Sequence, residues 1–101
     1  MRLQIELLIP HFNVYAFDLR GHGDSNVSST SFADGSVADV LTMIDSLALK
    51  KACVFGHSIG GTIAMLAEQQ RPGLWQAIYT FEPVVLGFDH EVCIEMIARW
   101  P

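Results

Sequence analysis

The residues best suited to chemistry lie in the pentapeptide Gly56-His57-Ser58-Ile59-Gly60, in which a serine stands between two glycines. The apolar run Ala52-Cys53-Val54-Phe55 before it predicts a short buried strand, and residues 61–68 after it predict a closely packed helix. A serine at a sharp turn from strand to helix forms a nucleophile elbow. A glycine-rich turn with an incidental serine is the alternative, and the order of strand, turn and helix disfavours it.

The elbow geometry predicts a role for each residue of the turn. Ser58 would attack an acyl carbon, and the backbone N–H of Ile59 at the helix N-terminus would donate to the oxyanion that forms. Close approach of the backbone predicts that a Cβ at Gly56 or Gly60 would collide with its surroundings. Gly61 is expected to let the helix approach the sheet.

Nearly the whole chain resembles the α/β-hydrolase superfamily. Residues 17–25 read Phe-Asp-Leu-Arg-Gly-His-Gly-Asp-Ser, which is similar to the segment that leaves the family's fourth strand. Residues 33–49 resemble the helix that follows it, residues 54–61 resemble the elbow, and residues 77–83 resemble the sixth strand and its exit. Two separate motifs in the right order are more specific than either alone.

The elements predicted along the chain alternate between strands and helices. Residues 14–17 and 77–81 predict strands, and an apolar stripe in residues 33–49 predicts one helix face: Val37, Val40, Leu41, Ile44 and Leu47. Ser36, with Asp39 three residues later, predicts the start of that helix as an acidic variant of the capping box. This order predicts an α/β fold with parallel strands, and the resemblance implies that residues 1–86 form a partial α/β-hydrolase core. Residues 87–101 would begin a lid or a following helix.

The resemblance implies that this chain carries only part of the fold. The family's third strand lies between the fourth and the fifth, and neither it nor the C-terminal strands has a counterpart here. Those missing segments usually carry the second oxyanion donor, the catalytic acid and the catalytic histidine. We therefore interpret the chain as an internal fragment of a longer hydrolase. The alternative is a truncated, non-catalytic α/β-hydrolase-like protein or binding module.

None of the four histidines stands where the family places its base. His57 adjoins the nucleophile and is expected to pack locally, and His22 is expected to organise the glycine turn around it. His11 and His90 are expected to be solvated.

Three charged residues are weighed as site candidates and left outside the predicted catalytic set. Asp18 is expected to accept backbone N–H bonds from the glycine turn. Glu82 ends a strand immediately before Pro83, where most family members carry a non-catalytic acid. Arg20 could contact an anionic substrate, but an exposed loop arginine is the favoured interpretation.

Composition excludes several function classes. A formal net charge of −5 with six Lys and Arg argues against nucleic acid and anionic membrane surfaces. No apolar stretch approaches the roughly 20 residues of a membrane span, and the N-terminus is a poor signal peptide. Cys53 and Cys93 have no metal-ligand spacing and suggest no disulfide framework. We expect no metal, no cofactor and a cytoplasmic location, and the oligomeric state is left open.

The function predicted is a hydrolase that uses Ser58 on a small-molecule substrate, an ester or a related carbonyl compound, and that is active only within a longer parent chain. The resemblance also admits carbon–carbon bond hydrolases and cofactor-free haloperoxidases. Epoxide hydrolases and haloalkane dehalogenases are disfavoured, because they usually place Asp where Ser58 stands.

Overall fold

The computed structural model describes residues 2–16, 18–21 and 32–83. Its elements follow in the order α1 (Arg2–Leu8), α2 (Phe32–Ser46), β1 (Ala52–His57), α3 (Ile59–Gln70) and β2 (Trp75–Phe81). The strands β1 and β2 pair in parallel, and α3 connects them. The expected α/β fold with parallel strands is therefore confirmed. Residues 87–101, with the predicted lid or helix, lie outside the described residues.

The core forms where α3 packs against α2 and against both strands. Buried apolar side chains come from α2, α3 and β2, namely Val37, Val40, Leu41, Ile44, Ile63, Ala67 and Trp75. The register of the two strands is irregular between Ala52 and Cys53, where β2 contains one more residue than β1. Trp75, the first residue of β2, is buried in this core. The indole Nε1–H of Trp75 donates to the carbonyl oxygen of Ala64 at 3.0 Å. The indole therefore ties the start of β2 to α3.

The start of α2 differs from the sequence prediction. The helix begins at Phe32, so Ser36 lies inside it and is fully buried instead of capping its N-terminus. The Ser36 hydroxyl has no hydrogen-bond partner in the described part of the chain. A capping signature is local, whereas the helix start depends on the apolar face that packs against α3.

The end of α2 also comes earlier than predicted. Ala48 adopts a left-handed conformation with φ of 50°. Its N–H donates to the Asp45 carbonyl at 3.1 Å, and the Leu49 N–H donates to the Ile44 carbonyl at 3.1 Å. This pair of bonds is the Schellman motif that ends helices, and Leu49 packs on the core as the motif requires. Leu47 thus lies past the helix and is 42% exposed.

The strand predicted for residues 14–17 is not found. Residues 14–16 belong to no strand, and residue 17 lies outside the described residues. A strand exists only through hydrogen bonds to a neighbour, and no described segment pairs with residues 14–16. The apolar composition of this segment is therefore not sufficient for strand formation.

One face of the sheet is open to solvent in the described structure. Cys53, predicted to be buried, is exposed. On the same face, Phe55 is 40% exposed, Tyr79 61% and Phe81 59%. Parallel sheets are ordinarily covered on both faces, and here the described helix α3 covers one, with α2 packed against α3.

A bidentate ion pair joins Arg20 to α2. The guanidinium of Arg20 donates to both carboxylate oxygens of Asp39 at 2.8 Å. It lies directly over Gly35, so that any side chain at that position would overlap it. The side chain of Arg20 is only 15% exposed, so the expectation of an exposed loop arginine was wrong.

A second bidentate pair joins α2 to the end of α3. Arg71 donates to Asp45 at 2.7 and 3.0 Å. The hydrogen bonds from Arg20 and Arg71 lower the pKa of Asp39 and of Asp45 from their ordinary values.

The left-handed residue that ends α2 yields a stability prediction. Replacing Ala48 by glycine should raise the free energy of unfolding by about 1 kcal/mol, because glycine adopts this backbone conformation without a steric penalty. Ala38→Gly is the matched control, since Ala38 is exposed inside the same helix and glycine there should cost about 1 kcal/mol. Urea unfolding of both variants measures the two effects. Equal destabilisation by both would contradict the assigned helix end.

The lowered pKa of Asp39 predicts how its contribution depends on pH. A carboxyl group with a lower pKa in the folded than in the unfolded state stabilises the fold above the unfolded pKa, about 3.9. That contribution is lost as the pH falls through the folded pKa. Asp39→Asn should therefore unfold at a lower urea concentration than wild type at neutral pH, and the difference should disappear in strong acid.

Glu6→Gln is the control for this measurement. It removes a carboxylate from an ion pair whose side chains are 94% and 57% exposed, and such pairs contribute little. If the urea midpoint of the wild-type protein exceeded that of Asp39→Asn by the same amount at every pH, the ion pair would not be the cause of the difference.

Candidate functional site

Ser58 stands at the junction of β1 and α3 in a strained backbone conformation. Its φ is 52° and its ψ is −123°, a region that residues with a side chain rarely adopt. The turn is fixed by backbone bonds, because the Ser58 N–H donates to the Phe81 carbonyl at 2.9 Å. The Ser58 carbonyl in turn accepts from the Gly61 N–H at 3.0 Å. The strand-to-helix turn predicted for this serine is therefore present.

The side chain of Ser58 is not used to build the helix. Serine at the N-cap position usually accepts a hydrogen bond from the first-turn amides. Here no side-chain capping bond forms, and the side chain has no hydrogen bond to either described histidine. The hydroxyl is thus left available at the N-terminus of α3.

The first amides of α3 are suited to receive negative charge. Ile59 and Gly60 are the first two residues of the helix, and amides at these positions have no acceptor within the helix. The positive end of the helix dipole lies at the same place. The Ile59 amide thus lies at the helix N-terminus, where the sequence predicts an oxyanion donor, and its role stays a prediction.

The glycines of the elbow differ in their need for space. A Cβ on Gly56 would lie 2.5 Å from the nitrogen of Gly61 and 2.6 Å from its Cα, both backbone atoms. A Cβ on Gly61 would lie 3.2 Å from the Gly56 oxygen and from side-chain carbons of Thr80 and Pro83. By contrast, a Cβ on Gly60 would meet nothing within 4 Å. The prediction of crowding is confirmed for Gly56, and for Gly60 it was wrong because that residue points away from the strand.

The described histidines do not complete a nucleophile–base pair. His57 stacks on Phe81 with ring centroids 5.7 Å apart and an interplanar angle of 27°. His11 is exposed in the turn after α1. His22 and His90 lie outside the described residues. The structure therefore places Ser58 beside the first amides of α3, and neither described histidine is bonded to it.

Two carboxylates follow predicted strand ends and are exposed, Asp18 and Glu82. Glu82 adopts a positive φ of 47°, which no feature of the sequence indicates. Within the described ranges, no group of three potential metal ligands comes together. No described helix is long and apolar enough to span a bilayer.

The comparisons with known proteins agree with this geometry. Residues 1–99 match the alpha/beta hydrolase family. Epoxide hydrolase 4 of Mus musculus is 32% identical over 104 residues, which cover 99% of this chain and 28% of that protein. 3-Oxoadipate enol-lactonase 1 of Acinetobacter baylyi is 34% identical over 76 residues, covering 75% of this chain and 25% of that protein. Human monoglyceride lipase is 35% identical over 80 residues, covering 73% of this chain and 26% of that protein. No solved structure gives a significant match. This chain therefore spans under a third of the length of these relatives.

The contrast between two glycines gives a direct test of the elbow. Gly56→Ala should lower the free energy of unfolding by at least about 2 kcal/mol, because its methyl group would overlap backbone atoms that cannot rotate away. Gly60→Ala should cause no loss and gain up to about 1 kcal/mol from helix propensity. Chemical unfolding of the two variants measures the difference. A Gly56→Ala protein as stable as Gly60→Ala would show that strand and helix are farther apart than described.

Proposed function

The chain belongs to the alpha/beta hydrolase family, and we propose that it carries the nucleophile of a serine hydrolase acting on small esters. The observation that supports this most directly is the strained backbone of Ser58 at the junction of β1 and α3. Strain of this kind costs about 1–3 kcal/mol and persists where the surrounding structure enforces it, often at functional sites.

The proposed reaction begins with attack of Ser58 Oγ on the acyl carbon of the substrate. The carbonyl oxygen becomes an oxyanion, to which the Ile59 N–H donates with help from the dipole of α3. Collapse expels the alcohol and leaves an acyl-enzyme, and water then releases the acid and restores the serine. Each proton transfer requires a base, which we place outside the described residues.

An ester is the substrate class that the residues and the relatives favour together. A hydroxyl nucleophile beside amide donors suits acyl transfer, since the negative charge develops on a carbonyl oxygen. Two of the relatives named above are a lactonase and a monoglyceride lipase, and lactones and monoglycerides are both esters. The mouse relative is named an epoxide hydrolase, so an epoxide belongs in the same substrate panel.

A non-catalytic, α/β-hydrolase-like protein or binding module is the competing proposal. It is favoured by the absence of a hydrogen bond between Ser58 and either described histidine. The two proposals differ in whether Ser58 Oγ is activated. A fluorophosphonate tests this, since an unactivated serine does not react with it.

Ser58→Ala should abolish covalent labelling by a fluorophosphonate and reduce ester hydrolysis by at least about a thousandfold. The matched control is Ser46→Ala, which removes an exposed hydroxyl at the end of α2 and should leave both unchanged. Labelling is read by intact mass, and hydrolysis is read with para-nitrophenyl butyrate. The protein should be tested at the length at which it occurs in its cell. A wild-type protein of that length that takes up no label would favour the non-catalytic proposal.

A further inference from the structure

Glu82 is held beside the nucleophile by backbone contacts on both of its sides. Before it, the carbonyl of Phe81 accepts the Ser58 N–H at 2.9 Å. After it, Pro83 lies against the first turn of α3, since a Cβ on Gly61 would lie 3.2 Å from the Pro83 Cβ. Adding standard bond lengths to the first of these contacts places the Glu82 Cα within about 7 Å of the Ser58 nitrogen. The carboxylate is therefore attached at the edge of the elbow.

The backbone at Glu82 is unusual in two ways. Its φ of 47° lies in the left-handed region, which glycine and asparagine adopt with less strain than other residues. It also precedes a proline, and such residues normally favour an extended conformation. Stability alone therefore does not explain a glutamate here, and a non-glycine outlier next to a nucleophile suggests a function for its side chain.

The charge of Glu82 is not compensated by any lysine or arginine in the described segments around it. The exposed carboxylate makes no ion pair within the described part of the chain, and residues 56–61 and 79–83 contain no lysine or arginine. Arg20, the residue that the sequence suggested for binding an anion, is bound through two hydrogen bonds to Asp39. The edge of the elbow thus carries negative charge, and the candidate cation is already engaged by a carboxylate.

We propose that Glu82 is a specificity-determining residue that makes the Ser58 site prefer neutral esters over esters bearing a carboxylate. This inference rests on the proposed serine hydrolase function and names its substrate class. An anionic acyl chain bound at Ser58 would bring its charge to within roughly one Debye length of Glu82, about 8 Å at physiological salt. Repulsion at that range is partly screened and is expected to change selectivity by about two- to fivefold.

The test compares two para-nitrophenyl esters of the same acyl length, the neutral butyrate and the negatively charged succinate monoester. The wild-type protein should have the higher kcat/KM for the butyrate. Glu82→Gln keeps the size of the side chain and removes its charge, so it should reduce the butyrate-to-succinate ratio about two- to fivefold. The reduction should shrink in high salt, an effect that a change in folding would not produce.

Asp45→Asn is the matched control. It removes the negative charge of Asp45, which pairs at 2.7 Å with Arg71. Arg71 lies just past the end of α3. The 12 residues of α3 separate that end from Ser58 by about 18 Å, which is more than two Debye lengths. This variant should therefore keep the wild-type ratio.

The outcomes separate this inference from the function on which it rests. An active Glu82→Gln protein with an unchanged ratio, or a ratio that moves equally in Asp45→Asn, would overturn the role of Glu82 alone. A wild-type protein that hydrolyses neither ester and takes up no fluorophosphonate would overturn both proposals. A reduced ratio confined to Glu82→Gln and sensitive to salt would support the specificity role.

Discussion

The close approach of two backbones, β1 at Gly56 and the first turn of α3 at Gly61, is the constraint on which the rest of the structure depends. A Cβ at Gly56 would stand 2.5 Å from the Gly61 nitrogen, so helix and strand cross without an intervening side chain. That crossing forces the connecting residue, Ser58, into a left-handed turn. The cost of this backbone strain is offset by backbone hydrogen bonds and by the core that α3 forms with α2 and β2.

Local sequence predicted the elements that depend on local chemistry. The strand-to-helix turn at Ser58, α3 and β2 lie where the sequence predicts them, because an apolar strand, a small-residue turn and a packed helix each leave a distinct pattern. The predictions that failed needed information about distant residues. A strand at residues 14–17 requires a partner that composition does not reveal, and Ser36 resembles a cap only if the packing of α2 on α3 is ignored.

The candidate site was predictable to a similar degree. Ser58 and Ile59 follow from the motif and its context, and their roles stay predictions. The positive φ of Glu82 left no trace in the sequence, because glutamate has no preference for that conformation. The pairing of Arg20 with Asp39 spans 19 residues, and no periodicity indicates such a contact.

The two ends of α3 are held by different kinds of interaction. Its C-terminal end is fixed by side chains, because Arg71 pairs with Asp45 and the Glu68 carboxylate accepts the N–H groups of Gly73 and Trp75.

Its N-terminal end is fixed by the backbone instead, through the Ser58 bonds to Phe81 and Gly61 and the contact at Gly56. Because main-chain contacts hold the end of α3 that carries the proposed nucleophile, the side chains there are not needed to hold the helix. Ser58 and Glu82 can therefore be replaced without removing the interactions that hold the helix, so the chemistry and selectivity proposed for this end can be altered while the fold is kept.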